Sequence, residues 1–432
     1  MSTIIDDLQW RGLVAQTTDE VALREHLGSS RRSIYCGFDP TAPSLHFGNL
    51  VQLIVLRHLQ RAGHRVVCLV GGSTGLIGDP RPTAERVLRS KDETADNVTR
   101  IRELVRPFLN FEGDNPAIIV NNLDWTEPIS ALDFLRDIGK HFRVNQMIRK
   151  DAVAARLASQ EGISYTEFSY QILQALDFLH LFRSEGVTVQ TGGQDQWGNL
   201  TAGVDLVHRV EGQSVHVLTT PLLTDDSGKK FGKTAGNAIW LSPDMTSAYA
   251  FYQYWINIAD ADVIRLIKVF TDRDPADIET LRSATEESPH RRSAQQALAA
   301  DVTTLVHGST ATANVREASQ VLFGHGDPAA VDAGTWLEAT AALPAAQVSV
   351  TEHVQDALVA AELAPSRGAA RRLIAEGGVS INNAKVTDSE AALSAEDFLH
   401  GQVALLKRGR KNLAALRPNG RKNLAALRPN GR

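Results

Sequence analysis

The sequence predicts an α/β protein with a doubly wound parallel sheet, followed by a helical domain and a small α+β domain. In the first half, short β-branched runs alternate with helical patterns, whereas from about Thr246 helical patterns follow one another without a strand between them. Near the end, a short basic helix leads through glycine into a strand. The predicted segments are a sheet domain at 1–240, a helical domain at 241–323, a linker at 324–350 and a third domain at 351–420.

Five runs in the first half have the apolar, β-branched character of buried parallel strands. They are Ser33–Cys36, Val66–Val70, Ala117–Val120, Val187–Gln190 and Val215–Thr219. Between the first two runs, Val51, Ile54, Val55 and Leu59 place one apolar stripe on a helix that Gly63 ends. Strands that alternate with helices in this way predict a parallel sheet with helices on both faces.

The second part of the chain reads as consecutive helices and then a composition change. The predicted helices are Ala248–Asn257, Asp260–Phe270, Ala276–Glu287 and Arg291–His307. The stretch from Gly324 to Val350 is rich in alanine, proline and glycine, which indicates a linker.

Composition excludes several classes of protein. The chain has 432 residues, of which 43% are hydrophobic and 22% charged, as in ordinary globular proteins. Its two cysteines, Cys36 and Cys68, exclude a disulfide framework and a CxxC-type zinc site. No apolar run approaches the roughly 20 residues of a membrane span, and the N-terminus is acidic where a signal peptide is basic. We therefore expect a cytoplasmic protein that binds neither zinc nor membrane.

Basic residues are concentrated at the C-terminus although the net charge is −5. Nine Lys or Arg and no acidic residue lie between Lys407 and Arg432, and such a patch can bind phosphates. The sequence GRKNLAALRPN at 409–419 recurs at 420–430. We interpret the second copy, within the basic tail 421–432, as a sequencing or cloning artefact and assign it no function.

Four polar, glycine-containing segments directly follow predicted strands. They are DPTAPSLHFGN at 39–49, GGSTGLIGDP at 71–80, GGQDQWGN at 192–199 and TDDSGKKFGKT at 224–234. Because ligands of open parallel sheets bind outside the carboxyl ends of the strands, these segments predict one shared cleft. Glycine loops that merely turn the chain would explain each segment alone, but not their shared content of Asp, His, Lys and Gln.

Two common nucleotide-binding motifs are excluded. No GxGxxG follows the first strand, so a dinucleotide-binding fold is unsupported. Gly232-Lys233-Thr234 looks like the end of a P-loop, but Ser227 stands where that motif needs glycine.

Another pair of segments carries a family resemblance. His46-Phe47-Gly48-Asn49 opens a predicted helix, and Lys230-Phe231-Gly232-Lys233-Thr234 lies in a later loop. In this order they resemble the HIGH and KMSKS signatures of class I aminoacyl-tRNA synthetases, which have a Rossmann-like catalytic domain. The strings YCGFDPTAPSLHFGNL, GLIGDP, FSYQILQALDF, GGQDQWGN and KFGKT narrow the resemblance to the tyrosyl-tRNA synthetases.

The resemblance implies ATP-dependent activation of tyrosine, with ATP as a substrate accompanied by Mg²⁺. Charge develops on phosphate oxygens in this reaction, so catalysis is positioning and electrostatic stabilisation. The implied catalytic residues are Thr41, His46, Asn49, Lys230, Lys233 and Thr234, and the implied ATP-binding residues are Asp39, Gly48, Gly193, Asp195 and Lys233. Asn49 replaces the second histidine of HIGH; it can donate a hydrogen bond but carries no charge.

The tyrosine site is implied mainly by a predicted helix at Thr166–Arg183. Tyr170, Gln174 and Asp177 share one face of it. Spacing alone leaves open whether this face is solvated or lines a binding site. By resemblance, Tyr35 and Asp177 contact the substrate phenol, Asp79, Tyr170 and Gln174 contact the α-ammonium, and Gln196 lies nearby.

The C-terminal segment Ala357–Val386 resembles the S4 RNA-binding motif. Its Arg367, Arg371 and Arg372 share one helical neighbourhood suited to phosphates, although a solvated basic helix is the alternative. The resemblance therefore implies L-tyrosine, ATP and tRNA(Tyr) as partners. It also implies a homodimer, for which the apolar segment Tyr165–Phe168 is a candidate interface.

Two other functions compete with this interpretation. A tryptophanyl enzyme would keep the chemistry and change the substrate. A catalytically inactive RNA-binding protein would use only the S4-like module, but retention of both Lys230 and Lys233 argues against it.

Overall fold

The computed structural model describes residues 3–81, 85–160, 162–224, 231, 233–234, 237–324, 326–409 and 411–419. The chain divides into two compact units. The first comprises Met1–Thr246 and Ile258–Leu298, and the second comprises Ser247–Asn257 and Ala299–Arg432. The predicted helices at 241–323 are present, but this division distributes them between the two units instead of grouping them in a domain of their own.

The first unit is built on a six-stranded sheet. Its strands are β1 (Gln16–Thr17), β2 (Ser33–Phe38), β3 (Arg65–Val70), β4 (Ile118–Asn121), β5 (Val187–Gly193) and β6 (His216–Thr220). The order is β1-β6-β5-β2-β3-β4, and every pairing is parallel except that of the edge strand β1 with β6. The chain therefore switches direction across the sheet at β2, which is where such folds open a crevice. All five predicted strands are confirmed, and β1 is an addition.

Helices flank this sheet. The α-helices of the first unit are Ile4–Trp10, Glu20–Ser29, Phe47–Arg61, Gly72–Ile77, Lys91–Val105, Leu123–Thr126, Ala131–Asp133, Val144–Met147, Asp151–Leu157, Tyr165–Glu185, Trp197–Glu211, Asp260–Phe270 and Pro275–Glu287. Shorter turns of helix are Arg106–Phe108, Phe134–Ile138, Gly139–His141, Gln194–Gln196 and Pro289–Arg291. A further helix, Ser293–His307, spans the sequence boundary between the two units, which lies between Leu298 and Ala299.

The longest helix of this unit, Tyr165–Glu185, has defined ends. The Ser164 side chain accepts a hydrogen bond from the Glu167 backbone N–H at its start. Gly186 ends the helix in the left-handed conformation, with φ 63°. Leu176, Phe178 and Leu179 of this helix are buried, and Phe178 and Leu179 pack against Val187 and Leu206. The sheet and its helix layer thus hold the polar face of this helix in a fixed position.

The second unit contains a five-stranded sheet. Its strands are β9 (Ala345–Val348), β10 (Val379–Ile381), β11 (Ala384–Lys385), β12 (Ala404–Arg408) and β13 (Asn412–Pro418), in the order β11-β10-β12-β13-β9. Asn382 and Asn383 turn β10 into β11 with φ 46° and 68°, the conformation for which asparagine is favoured in tight hairpins. The helices are Ala248–Ile256, Ser309–Leu322, Ala333–Ala341, Val354–Ala360 and Arg367–Ala375, with short turns at Pro328–Ala330 and Ala395–Asp397. A separate pair of two-residue strands, β7 (Lys233–Thr234) and β8 (Asn237–Ala238), belongs to the first unit.

The predicted linker at 324–350 is corrected by the structure. It contains the helix Ala333–Ala341 and strand β9, and β9 pairs in parallel with β13. Trp336 is 0% exposed, packs in a cluster with Val403 and Leu405, and donates from Nε1 to the Val403 carbonyl oxygen at 3.1 Å. Composition misled here because a small, alanine-rich helix with one large aromatic residue can still be fully packed.

The predicted basic tail begins with a residue that does not face solvent. Lys407 is buried, and its Nζ donates to the carbonyl oxygens of Val321 and Leu322 at 2.9 and 3.0 Å. It therefore caps the C-terminal end of the helix Ser309–Leu322, where carbonyl groups lack helical partners. The tail residues 421–432 lie outside the described residues.

Within the described ranges, no helix is long and apolar enough to cross a membrane. The same part of the chain contains no group of three or more His, Cys, Asp or Glu side chains arranged to hold a metal ion.

Candidate active site

A cleft of about 630 Å³ opens at the carboxyl ends of the parallel strands in the first unit. It brings together thirteen of the predicted substrate and catalytic residues. They are Tyr35, Asp39, Thr41, His46, Gly48, Asn49, Asp79, Tyr170, Gln174, Asp177, Gly193, Asp195 and Gln196. Lys230 lies outside the described residues, and the side chains of Lys233 and Thr234 are likewise not described. Phe231, from the same signature, does line the cleft.

Asp177 lies in the wall of the cleft and is only 2% exposed. Its two carboxylate oxygens accept hydrogen bonds from Asn122 Nδ2 and Trp125 Nε1, both at 3.0 Å. Burial raises the pKa of Asp177 from its ordinary 3.8 to about 8, and the two donors oppose only part of this effect. Both the protonated and the ionised form of the Asp177 carboxyl are therefore accessible near neutral pH.

Tyr35, within strand β2, is a neighbour of this carboxyl. Burial, and then the nearby Asp177, raise the pKa of its phenol. Its hydroxyl is buried and makes no hydrogen bond to the described residues. A buried hydroxyl without a partner is costly by roughly 1–3 kcal/mol, so this part of the cleft favours a ligand with a polar atom.

The raised pKa of Asp177 predicts a specific pH dependence of stability. The folded carboxyl binds its proton more tightly than the unfolded one, so its stabilising contribution is complete below about pH 4. That contribution declines as the pH rises and is gone above about pH 8. Between pH 6 and 9 we expect wild-type protein to lose about 2–3 kcal/mol of unfolding free energy through this group.

Urea unfolding at several pH values, followed by tryptophan fluorescence, measures this loss. The variant Asp177→Asn has no ionisable group at this position, so its unfolding free energy should fall less over the same range. Parallel pH profiles of wild type and variant would show that Asp177 does not titrate as described.

Asp39 is a second, partly buried carboxyl group in the cleft. Its oxygens accept hydrogen bonds from the Tyr170 hydroxyl at 2.7 Å and from Thr74 Oγ1 at 2.6 Å. Burial raises the pKa of Asp39, and these two donors act in the opposite direction. Gly71 is required beside it, because a Cβ there would lie 2.4 Å from Asp39 Oδ1.

These contacts decide a question that spacing had left open. Tyr170 and Asp177 are both buried, and Gln174 has a buried Oε1 without a hydrogen bond to the described residues. The polar face of the helix Tyr165–Glu185 therefore lines the cleft and is not a solvated surface. Tertiary packing supplied the information that the helical period lacked.

Asp79 is the third carboxylate, and a cation contacts it directly. Lys150 Nζ and Asn199 Nδ2 lie 3.3 and 3.1 Å from its Oδ1, and Gln196 Nε2 lies 3.2 Å from its Oδ2. The side chain of Asp79 is 20% exposed, which makes it more accessible than Asp177, which is 2% exposed. This carboxylate can therefore exchange its partner for a cation that enters the cleft.

The His46–Asn49 segment lies at another part of the cleft and begins a helix. Its His46 Nδ1 accepts the Gly48 backbone N–H at 3.0 Å, and Asn49 Oδ1 accepts the His46 backbone N–H at 3.1 Å. These reciprocal bonds form a capping box for the helix Phe47–Arg61. A neutral His46 that accepts at Nδ1 carries its proton on Nε2, which suits it to donate to an anion.

Gly193 and Asp195 adjoin the same cleft at the end of β5. A Cβ on Gly193 would lie 2.5 Å from Asp195 Oδ1, so a side chain there would displace this carboxylate from its present position. Asp195 is exposed and lies in the turn Gln194–Gln196. It is thus free to accept hydrogen bonds from a polar ligand at the mouth of the cleft.

Several residues that organise the cleft could not be identified from the sequence. They are Thr74, Asn122, Trp125, Lys150 and Asn199, together with Arg86, whose Nε donates to the Asp79 carbonyl oxygen at 2.8 Å. Asn199 and Thr74 lie inside the polar segments that were singled out. The others lie outside those segments, and no local sequence pattern marks them.

The three predicted RNA-binding arginines lie in the second unit on the helix Arg367–Ala375, and all are exposed. Arg367 pairs with Asp356, with NH2 3.0 Å from Oδ2, and Arg371 donates to Gln355 Oε1 at 2.6 Å and lies 3.2 Å from Glu390. The Arg372 side chain makes no hydrogen bond or ion pair with the described residues. Their role stays a prediction.

The chemistry of the cleft is that of an amino-acid and nucleotide site. Three carboxyl groups and a buried phenol surround one part, where an ammonium and a hydroxyl would find partners. Helix N–H groups and His46 line another part, where they suit an anion.

Family comparisons agree with this geometry. Residues 29–324 match the family model described as "tRNA synthetases class I (W and Y)". Residues 337–416 match the model described as "Tyrosine--tRNA ligase SYY-like C-terminal domain". The protein is therefore a class I aminoacyl-tRNA synthetase.

Individual relatives narrow this class. The tyrosine--tRNA ligase of Streptomyces coelicolor is 56% identical over 417 residues, which cover 96% of this chain and 99% of that protein. That of Leifsonia xyli is 56% identical over 95% of this chain and 93% of the relative. A truncated mitochondrial tyrosyl-tRNA synthetase from Aspergillus nidulans is 30% identical, with a TM-score of 0.68 over 75% of this chain and 95% of that structure. The chain belongs to the tyrosine--tRNA ligase family.

Proposed function

We propose that this chain activates L-tyrosine with ATP and transfers it to the 3′-terminal adenosine of tRNA(Tyr). The tyrosine carboxylate attacks the α-phosphorus of ATP, a new P–O bond forms, and the bond to the leaving pyrophosphate breaks. The observation that carries the proposal is the buried pair of Tyr35 and Asp177 inside a cleft that also holds Asp79 and the His46 helix start.

The tyrosine end of the substrate is assigned to Asp177, Asp79 and the residues beside them. Tyr35 and Asp177 receive the phenol OH, which supplies the partner that the buried Tyr35 hydroxyl lacks among the described residues. Asp79, Tyr170 and Gln174 receive the α-ammonium, and Gln196 lies beside Asp79.

The nucleotide end is assigned to other residues that line the same cleft. Asp195, next to Gly193, receives the ribose, and Asp39 lies near the nucleotide. His46, Thr41 and Asn49 donate to phosphate oxygens, and the Gly48 helix start adds its positive dipole end. Lys230, Lys233 and Thr234 act on the departing pyrophosphate.

A divalent cation completes this proposal. Mg²⁺ enters with ATP and shields its phosphates, as hard cations with oxygen ligands do. Asp39, Asp79 and Asp177 have protein partners, so we assign the metal to the ATP phosphates and assign no zinc.

Amino-acid-dependent exchange of labelled pyrophosphate into ATP tests the function. We expect exchange with tyrosine and none with tryptophan. Exchange with tryptophan alone would make the chain a tryptophanyl enzyme, and no adenylate with any amino acid would favour a catalytically inactive RNA-binding protein.

We further propose that the helix Arg367–Ala375 binds RNA phosphates as part of an S4-like domain. Replacing Arg372 with alanine removes one phosphate contact, so the KM for tRNA should rise several-fold while tyrosine activation is unchanged. The salt dependence of tRNA binding should fall by about one unit in its logarithmic slope. Aminoacylation at several salt concentrations measures both effects.

The matched control is Arg102→Ala, which removes an exposed arginine from the first unit. A similar loss of salt dependence in both variants would mean that only net charge matters. Loss of tyrosine activation in Arg372→Ala would show a structural role.

We also propose that the protein acts in the cytoplasm as a homodimer. Several exposed apolar residues lie between positions 132 and 165 of the first unit, namely Leu132, Leu135, Val144, Leu157 and Tyr165. Exposed apolar groups of this kind favour an interface, and a second copy of the chain is the proposed occupant.

A further inference from the structure

Lys150 contacts a carboxylate that lines the cleft, a position that no catalytic motif assigns to it. It directly precedes the helix Asp151–Leu157, far along the chain from the loops that form most of the site. Its Nζ lies 3.3 Å from Asp79 Oδ1 and also donates to Asn199 Oδ1. Asn199 in turn donates to the same Asp79 oxygen at 3.1 Å, so three side chains share one compact network.

The partner of Asp79 distinguishes it from the other two carboxyl groups. Asp39 and Asp177 are held by neutral donors, namely Tyr170 and Thr74 in one case and Asn122 and Trp125 in the other. Asp79 instead pairs with an ammonium group. The side chains of Asp79 and Lys150 are 20% and 15% exposed, so the pair is shielded from water and its attraction exceeds that of a surface pair.

We propose that Lys150 determines tyrosine affinity by occupying the ammonium subsite of the ligand-free cleft and leaving Asp79 when substrate binds. This inference rests on the proposed function, in which Asp79 receives the α-ammonium of tyrosine. Lysine and tyrosine present the same chemical group, a primary ammonium, to the same carboxylate. Two ammonium groups beside the Asp79 carboxylate repel each other, so tyrosine binds in competition with the Lys150 side chain.

Local geometry allows Lys150 to move without disturbing the fold. Its side chain makes no capping bond to the helix Asp151–Leu157, whose first turn depends on backbone contacts. A lysine stem has four rotatable bonds, and its ammonium can keep Asn199 Oδ1 as a partner. Asp79 meanwhile stays oriented by Asn199 and by Gln196, which donates to the other oxygen at 3.2 Å.

A competing side chain reduces apparent affinity by the fraction of molecules whose subsite is open. Replacing Lys150 with methionine keeps a flexible apolar stem and removes the ammonium. We expect the KM and the Kd for tyrosine to fall by about 3- to 10-fold, which corresponds to a subsite that is roughly 70–90% occupied by Lys150. The kcat for pyrophosphate exchange and the KM for ATP should stay within about twofold.

A ligand without the ammonium separates competition from a general change of the cleft. The probe is 3-(4-hydroxyphenyl)propionate, which keeps the phenol and carboxylate of tyrosine. It does not need the subsite on Asp79, so its inhibition constant should be the same for wild type and Lys150→Met. Equal tightening of probe and tyrosine would overturn the proposal, because a looser cleft would favour both.

The matched control is Arg149→Met, which removes a positive charge from the exposed neighbour of Lys150. Its tyrosine KM should equal that of wild type, and the same fall in both variants would reduce the effect to net charge and overturn the proposal. Lys150→Gln provides a second variant of different shape, and it should also bind tyrosine more tightly. Thermal unfolding establishes that the variants are folded.

Three other results would also overturn the proposal. A higher KM for tyrosine in both Lys150 variants would show that the lysine supports Asp79, and a lower kcat with a higher KM for ATP would place it on the phosphates. Unchanged tyrosine affinity in an active enzyme would refute the competition alone. Absence of tyrosine-dependent exchange in wild type would instead refute the proposed function, so the two failures are distinguishable.

Discussion

Replacing Lys233 with alanine is expected to slow tyrosyl-adenylate formation by about 10²- to 10³-fold while tyrosine affinity stays within about twofold. The lysine belongs to the KFGKT signature, and Phe231 of the same signature lines the cleft. Negative charge builds on the pyrophosphate only as its bond to the α-phosphorus breaks, so a cation there stabilises the transition state more than the bound substrates. Loss of such a group lowers kcat and leaves ground-state binding largely intact.

Rapid-quench measurement of adenylate formation, combined with equilibrium titration of tyrosine, separates the two quantities. The matched control is Lys229→Ala, which removes a neighbouring lysine outside the KFGKT signature. An equal loss of rate in both variants would assign the effect to the charge of the loop. A loss of tyrosine affinity in Lys233→Ala that matches its loss of rate would contradict the role given.

Replacing Asp177 with alanine is expected to lower kcat/KM for tyrosine by about 10²-fold and to change that for phenylalanine little. Asp177 and the Tyr35 hydroxyl are buried polar groups whose proposed partner is the phenol OH. Phenylalanine leaves both groups without that partner, and each unsatisfied buried group costs about 1–3 kcal/mol, more when charged. Removing Asp177 removes part of this penalty, so the preference for tyrosine over phenylalanine should fall by a similar factor.

Pyrophosphate exchange with both amino acids measures this preference. Tyr170→Phe is the matched control, because its hydroxyl donates to Asp39 and is assigned to the ammonium, which both substrates carry. It should weaken both amino acids equally and leave the ratio unchanged. If Asp177→Ala lowered kcat/KM equally for tyrosine and phenylalanine, Asp177 would not recognise the phenol OH.

Local sequence patterns predicted the sheet well, because buried parallel strands are continuous apolar runs. Val66–Val70 and Val187–Gln190 lie within β3 and β5 as the structure has them. Strand β1 was not predicted because its two residues, Gln16 and Thr17, are too few to show an alternating pattern. Their pairing with β6 depends on a partner about 200 residues away.

Thirteen residues that line the candidate site were named from the sequence, but their contacts with one another and with the rest of the chain were not. The loops that follow the strands supplied Asp39, Asp79 and Asp195, because chain position relative to a strand end determines which edge a residue lies on. The contacts of Asp177 with Asn122 and Trp125, and of Asp79 with Lys150, join segments that packing alone brings together. The functions of all these residues, and of Lys230, Lys233 and Thr234, stay predictions.

Charge counting was the weakest guide to the C-terminal part. Lys407 counts as one of nine basic residues after position 406, yet it is buried against Val321 and Leu322. A lysine whose ammonium finds two carbonyl oxygens is a structural residue, and its sequence neighbourhood gives no sign of those oxygens.

The first copy of the repeated eleven-residue segment forms strand β13. The copy at 409–419 provides this strand, which pairs on one side with β12 and on the other with β9. Its Ala415 and Leu416 are fully enclosed, so proline insertion at Ala415 would split the sheet into two halves that have no other ladder in common. The first copy of the repeat therefore tolerates little substitution, because its neighbours in the sheet determine which side chains fit.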